Sequence, residues 1–341
     1  MGKVLVTGGL GFIGSHTVVE LQNEGYDVVI IDDLSNSSID TLSRIESITG
    51  KRPQFEQFDL KDKRNVQTFF QSNDDIIGVI HFAASKAVGE SVEQPLMYYE
   101  NNINSLVYVL TEVRKLTKSN FIFSSSCTVY GQAEQLPLTE DSPIQKAESP
   151  YGNTKQIGED IVKDLCHADA NFSAVSLRYF NPIGAHGSGK IGELPIGVPQ
   201  NLVPFITQTA IGLREKLMVF GDDYDTPDGT CIRDYIHVVD LAKAHIIALE
   251  RLVNGNNASN YEIFNLGTGK GSSVLEVIKA FEDVSGVKLN YETTARRSGD
   301  VVSAYADTSK ANSLLGWKAE LTLEDSMRSA WHWEQNFRKN L

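Results

Sequence analysis

With 341 residues, 41% apolar and 22% charged side chains, the chain has the composition of a soluble globular protein and the length for one or two domains. A formal charge of −13 argues against a nucleic-acid or anionic-membrane surface, though a locally basic pocket for a phosphorylated ligand remains compatible with it. No apolar run approaches the ~18 residues of a membrane span.

The apolar run Lys3–Val6 begins too early to leave room for a signal peptide. Cys127, Cys166 and Cys231 form no CxxC pair, so neither a disulfide framework nor a zinc site is expected. A reducing cytoplasm fits this usage. The histidines show no metal-ligand spacing, and no metal is expected.

Along the first half, short apolar runs alternate with longer helical stretches. Strands are predicted at Val4–Val6, Val28–Ile31, Phe55–Phe58, Ile76–His81, Phe121–Ser124 and Ser173–Leu177. Helical patterns lie between them, as at Ile13–Glu24 and Asn102–Leu116. Such alternation predicts an α/β architecture, a doubly wound parallel sheet with right-handed crossovers. After Asn181 the alternation gives way to Gly- and Pro-rich stretches at 182–199 and 221–230, which suggests a smaller C-terminal substrate domain. Val238–Leu252 followed by Ile263–Leu266 is apolar enough to return to the first sheet. The expected division is therefore 1–180 with 235–267 as a dinucleotide-binding Rossmann domain, and 181–234 with 268–341 as the substrate domain.

The turn after the first strand reads Thr7-Gly8-Gly9-Leu10-Gly11-Phe12-Ile13-Gly14 and opens the first predicted helix. Glycines there permit a tight turn and close backbone approach to a pyrophosphate, while the helix N-terminus offers free N–H groups. Strand two ends at Asp32-Asp33, roughly 20 residues on, where an acid holds ribose hydroxyls and repels a 2′-phosphate. NAD is the expected cofactor. Asp59, at the end of the third predicted strand, is an adenine-side candidate.

Ser149-Pro150-Tyr151-Gly152-Asn153-Thr154-Lys155 reads as a helix start, with Ser149 as N-cap and Pro150 at the first helical position. Tyr151 and Lys155 then share one face. A phenol titrates near ~10, so a base at neutral pH needs a neighbouring ammonium, the helix dipole or a cationic ring to favour the phenolate. The strand end Phe123-Ser124-Ser125-Ser126-Cys127-Thr128 supplies hydroxyl donors where this class of sheet binds ligands.

These three features together resemble the extended short-chain dehydrogenase/reductase superfamily. Over its full length the chain resembles, more narrowly, the UDP-glucose (UDP-galactose) 4-epimerases. The discriminating segments are His81–Ser91, Arg178-Tyr179-Phe180-Asn181-Pro182 and Asp228–His237. The resemblance implies that Tyr151 is the acid/base, that Lys155 lowers its pKa and holds the nicotinamide ribose, and that Ser126 binds the sugar 4-hydroxyl. It implies NAD contacts from Gly8, Gly11, Phe12, Ile13, Gly14, Asp32 and Asn36. It adds Asp59, Leu60, Phe82, Ala83, Lys86, Asn101, Ser124 and Tyr179, besides Tyr151 and Lys155. Around a UDP-hexose it implies Asn181, Asn201, Leu202, Phe220, Arg233, Tyr235, Arg297 and Asp300, with the two arginines suited to clamp a diphosphate. A homodimer through helices in the region of Pro95–Leu116 is also implied.

The implied cycle takes hydride from C4 of the sugar, lets the 4-keto sugar turn over while UDP stays anchored, and returns the hydride to the opposite face. Three alternatives stand beside it. A sugar-nucleotide 4,6-dehydratase carries an Asp-Glu pair after the strand-end hydroxyl, where this chain has Cys127-Thr128. A simple oxidoreductase releases its reduced cofactor. A non-catalytic NAD-sensing protein has no need of Ser126, Tyr151 and Lys155 together. Counting on from Asp300 puts Ala304 at the position that is a bulky Tyr in family members restricted to plain hexoses, so N-acetylated sugars are expected to fit. A slip of one residue puts Tyr305 there and reverses that expectation.

Overall fold

The computed structural model describes residues 2–133, 135–297 and 300–339. The first half runs β1 (Lys3–Thr7), α1 (Phe12–Asn23), β2 (Asp27–Ile31), α2 (Asp40–Thr49), β3 (Gln54–Glu56) and α3 (Lys63–Gln71). It continues with β4 (Ile76–His81), α4 (Val88–Glu93), α5 (Pro95–Val113), β5 (Ser119–Ser126), α6 (Pro150–Ala168) and β6 (Phe172–Tyr179). The second half holds β7 (Asn181–Ile183), α7 (Leu202–Ala210), β8 (Leu217–Phe220), β9 (Ile232–His237), α8 (Val238–Val253) and β10 (Tyr261–Leu266). It closes with β11 (Gly271–Ser273), α9 (Val274–Ser285), β12 (Tyr291–Thr294), β13 (Ser303–Ala304) and α10 (Leu323–Lys339).

One seven-stranded sheet, in the order β10-β6-β5-β4-β1-β2-β3, is parallel throughout. Because strand side chains alternate, each strand feeds both faces. Val4, Val6, Ile30, Ile80 and Val175 pack with Val18 of α1 and Leu241 of α8. Leu5, Val29, Val79 and Phe121 pack with Val66 of α3, Val109 of α5 and Val162 of α6. Helices thus cover both faces of a doubly wound sheet, as the alternation predicts. The segment 238–266 returns to it, β10 pairing with β6.

The loop-rich remainder forms a second sheet, β11-β9-β13 with β7 beside β9, and a pair β12-β8. Its core gathers Ile183, Val203, Ile206, Val219, Phe281 and Met327. Among the described residues no helix is long and apolar enough to cross a membrane.

Most boundaries differ from the sequence reading by a residue or two, and three of the differences have a plain physical reason. The helix patterned over Asn102–Leu116, and read as Pro95–Leu116 where it could meet a partner, runs Pro95–Val113, and the fixed φ of Pro95 suits its first helical position. Strand β5 spans Ser119–Ser126 although serine and asparagine favour turns, because all eight residues are buried between β4 and β6. The third strand ends at Glu56, so Asp59 stands in the turn beyond it; there its carboxylate accepts from Lys61 N at 2.8 Å.

Candidate active site

The β1–α1 turn is shaped by contacts that only glycine permits. Gly8 has φ +67°, and its N–H donates to Ile31 O at 2.8 Å. A Cβ on Gly14 would lie 2.2 Å from Gly8 O, so the first turn of α1 packs directly on the loop. Gly11, at the N-cap, brings no side chain to the helix start. The first-turn amides, those of Phe12 and Ile13 among them, are left to an anion. This cradle fits a dinucleotide pyrophosphate.

Of the two acids that follow β2, Asp32 faces the loop. Its carboxylate accepts from Leu10 N (3.0 Å), Leu34 N (3.0 Å) and Ser37 Oγ (2.7 Å). Burial raises its pKa, and these donors oppose the rise. Asp33 is exposed and turns to Ser35 N, while Asn36 is exposed in the same loop. Leu60 is buried in the core. At the end of β4, Phe82 N donates to Thr7 O, Ala83 N donates to Thr7 Oγ1, and His81 Nδ1 shares the Thr7 hydroxyl at 2.9 Å. Strands β1 and β4 are thereby tied where the sheet opens. Asn101 donates to Ser85 Oγ at 3.1 Å.

Helix α6 begins as the sequence predicts: Ser149 Oγ accepts from Gly152 N at 3.1 Å, with Pro150 in the first turn. That start brings Tyr151 to the end of β5, close to the Ser126 hydroxyl. Lys155 Nζ donates to Ser124 O at 2.7 Å and lies 5.8 Å from the Tyr151 ring centre. Ser124 Oγ bonds the Tyr179 hydroxyl. A lowered phenol is expected from the sequence, but burial instead pushes Tyr151 upward, Tyr179 adds to the rise, and Ser126 opposes it. Burial likewise pushes Lys155 down to about 8, against the pull of Glu159. The hydroxyl of Thr128, two residues past Ser126, is buried without a partner among the described residues.

Across the opening, the second sheet presents a cationic group. Arg233 Nη1 donates to Ile232 O and Val301 O, both at 2.8 Å, and Nη2 stands 3.5 Å from Asp300. Arg297 pairs with the same carboxylate at 3.0 and 3.1 Å and lies over the Phe220 ring. One carboxylate thus orients two guanidiniums and leaves a net positive charge. Ser298 and Gly299, between Arg297 and Asp300, lie outside the described residues.

Asn181 and Tyr235 are register partners in β7 and β9. Asn201 caps α7, whose first residue is Leu202. Asn201 Nδ2 donates to Glu193 Oε1 at 2.5 Å, and that oxygen also takes Lys86 Nζ at 3.4 Å.

Ala304 pairs with Arg233 in β13–β9 and packs, as Cys127 does, on the cluster of Val129, Tyr130 and Phe180. Tyr305 points the other way: its ring lies 3.3 Å from where a Cβ on Gly271 would stand. Ala304 therefore lies on the Ser126–Cys127 side.

Two groups went unremarked in the sequence. Asp234, buried inside the Asp228–His237 segment, accepts from Thr268 N (2.8 Å), Gly269 N (3.1 Å) and Ala306 N (3.2 Å), knitting β9 to the loops around it. Glu159 forms a buried pair with Arg178 at 2.6 Å. Its place four residues past Lys155 was the available signal.

A family model described as GDP-mannose 4,6 dehydratase matches residues 5–330. The chain is 51% identical to a UDP-glucose 4-epimerase of Bacillus subtilis over 98% of its own length and 97% of that protein's. It is 47% identical to a crystallised UDP-glucose 4-epimerase of Bifidobacterium longum in complex with NAD+ and UDP. The TM-score is 0.94, and 99% of this chain and 100% of that one are covered. A Stenotrophomonas maltophila UDP-glucose-4-epimerase with bound NAD and formylated UDP-arabinopyranose gives 44% identity and a TM-score of 0.96, with 100% of both chains covered.

Proposed function

This chain belongs to the UDP-glucose 4-epimerase family, and on that premise we propose that it interconverts UDP-glucose and UDP-galactose at C4 with a resident NAD. The observation that carries this reading is the junction of Ser126, Tyr151 and Lys155 at the end of β5, in the same parallel sheet whose β1 leads into the glycine cradle of α1. The family model bears a dehydratase's description, but elimination is not supported here, because Cys127 and Thr128 bring no carboxylate beside Ser126.

Gly8, Gly11 and Gly14 hold the dinucleotide with Asp32, Asp59, Lys86 and Asn101. When bound, NAD would supply a reversible hydride acceptor for C4 of the sugar. Tyr151, oriented by Ser126, withdraws the 4-hydroxyl proton and later restores it. The Lys155 ammonium favours the phenolate that burial opposes. Arg233 and Arg297 grip the diphosphate while Asn181, Asn201, Leu202, Phe220 and Tyr235 border it. The hexose, held by few groups, turns over between the two hydride transfers. The division into 1–180 with 235–267 for the cofactor and 181–234 with 268–341 for the sugar nucleotide belongs to the same proposal.

Ala304 leaves space that a tyrosine ring would fill, so UDP-N-acetylglucosamine and its C4 epimer are substrates as well. A homodimer through α5 and α6 is supported by the groove between them, lined by Val107, Leu110, Thr111, Arg114, Ile161 and Leu165. Sedimentation at micromolar concentration tests it. The catalytic reading is tested by incubation with UDP-galactose: UDP-glucose without accumulating NADH is the expected result. Stoichiometric NADH, or a dehydrated sugar, overturns it.

A further inference from the structure

Three consecutive serines at the end of β5 each meet one residue on a single face of α6. Ser126 lies beside Tyr151, Ser124 O accepts from Lys155 Nζ, and Ser125 Oγ donates to Glu159. Tyr151, Lys155 and Glu159 are spaced four apart, so they stack along the helix. The third contact is braced from a second strand. Arg178, the register partner of Ser125 in β6, grips Glu159 through Nε at 2.9 Å and Nη2 at 2.6 Å. Ser125, Glu159 and Arg178 are all buried. A guanidinium bound through two nitrogens fixes orientation as well as distance.

We propose that Glu159 is a positioning residue for the proton-transfer pair: clasped by Ser125 and Arg178, it fixes the rotation of α6 so that Lys155 and Tyr151 stand over the strand end. This rests on the reading of Tyr151 and Lys155 as the reacting pair. The carboxylate also keeps a negative charge one turn beyond the amine. Around this face, His81 of β4 feels Lys155, while Tyr179 of β6, Tyr98 of α5 and Cys127 feel Tyr151. Tyr261 of β10 feels both Glu159 and Arg178, and Tyr130 bonds Arg178. Glu159 is the group that opposes the lowering of Lys155 by burial.

The test compares the NAD-loaded parent enzyme with Glu159→Gln on UDP-galactose across neutral and alkaline pH. The expected variant keeps its NAD and a KM within about twofold, but loses about tenfold or more in kcat. Its alkaline limb moves to lower pH by about half a unit or more, since Lys155 loses the charge that opposes burial. A purely structural role would lower the yield or the melting temperature. It would leave kcat per NAD-loaded site and the alkaline limb at parental values, and that result overturns the proposal.

Should Glu159→Gln fail to fold with Arg178 unpaired, the double variant Glu159→Gln/Arg178→Gln leaves no lone buried charge. Reduced kcat in it supports the proposal, and parental kcat overturns it. Glu159→Asp, which keeps the charge, is expected to hold the alkaline limb at the parental pH. An inactive parent removes the epimerase reading and this proposal together. An active parent beside an unaltered Glu159→Gln removes this one alone.

Discussion

Tyr151 is a buried phenol whose pKa burial raises, with the nearby Ser126 hydroxyl opposing the rise. Replacing it by phenylalanine keeps the ring's packing and removes the proton carrier. Tyr151→Phe is therefore expected to retain NAD while kcat falls about 10²–10⁴-fold, the range of a general acid–base group. Stopped assays with UDP-galactose, beside absorbance of the released cofactor, check both halves. Ala304 gives a second prediction at this scale. Its side chain shares a cluster with Cys127, whereas Tyr305 points toward Gly271. Ala304→Tyr is expected to reduce turnover of UDP-N-acetylglucosamine by about tenfold or more while UDP-glucose turnover stays close to parental. Equal losses on both sugars would remove Ala304 as the determinant.

Among the elements, the junction of β1 and α1 has little slack. Gly14 has no room for a Cβ, since the clash is with the backbone oxygen of Gly8 rather than a side chain able to turn aside. Gly14→Ala is expected to lose about 1–3 kcal/mol of stability and to purify without NAD. Urea denaturation and the absorbance of the purified protein measure the two effects. This junction was legible in the sequence because glycine's backbone freedom is a property of the residue itself. The α6 start was legible for a similar reason, as Ser149 and Pro150 act through local geometry. Strand β5 was only half legible. Its serines and asparagine say turn, and burial between neighbouring strands decides otherwise, which no local pattern carries. Asp234 and Glu159 were missed for the same cause: their partners lie on other strands, at Thr268 and Arg178.

Taken as a whole, the molecule buries several histidines in neutral form. Burial lowers His16 and His81 to about 3, and His237 and His245 to about 4, from an ordinary 6.5. In the unfolded chain these rings take up protons below pH 6.5, whereas the folded chain refuses them until far lower. Their contribution to stability is thus complete above pH 6.5 and drains away as pH falls toward 4, each ring costing up to ~1.4 kcal/mol per pH unit in between. The urea midpoint is expected to hold between pH 7 and 8 and to drop steeply between pH 6 and 5. A flat midpoint across that lower interval would refute the argument.

The route of the chain through the large sheet has its own consequence. Strand β6 ends at Tyr179, but the strand that covers its outer edge, β10, is not reached until Tyr261, after β7, β8 and β9 have been laid down elsewhere. During synthesis, at ~5–20 residues per second, that edge stays open for several seconds, its main-chain groups free to pair with a stranger. A ribosome paused in the interval would present an unfinished ledge to its neighbours. Crowded expression is therefore a hazard for the nascent enzyme well before it has a pocket to fill.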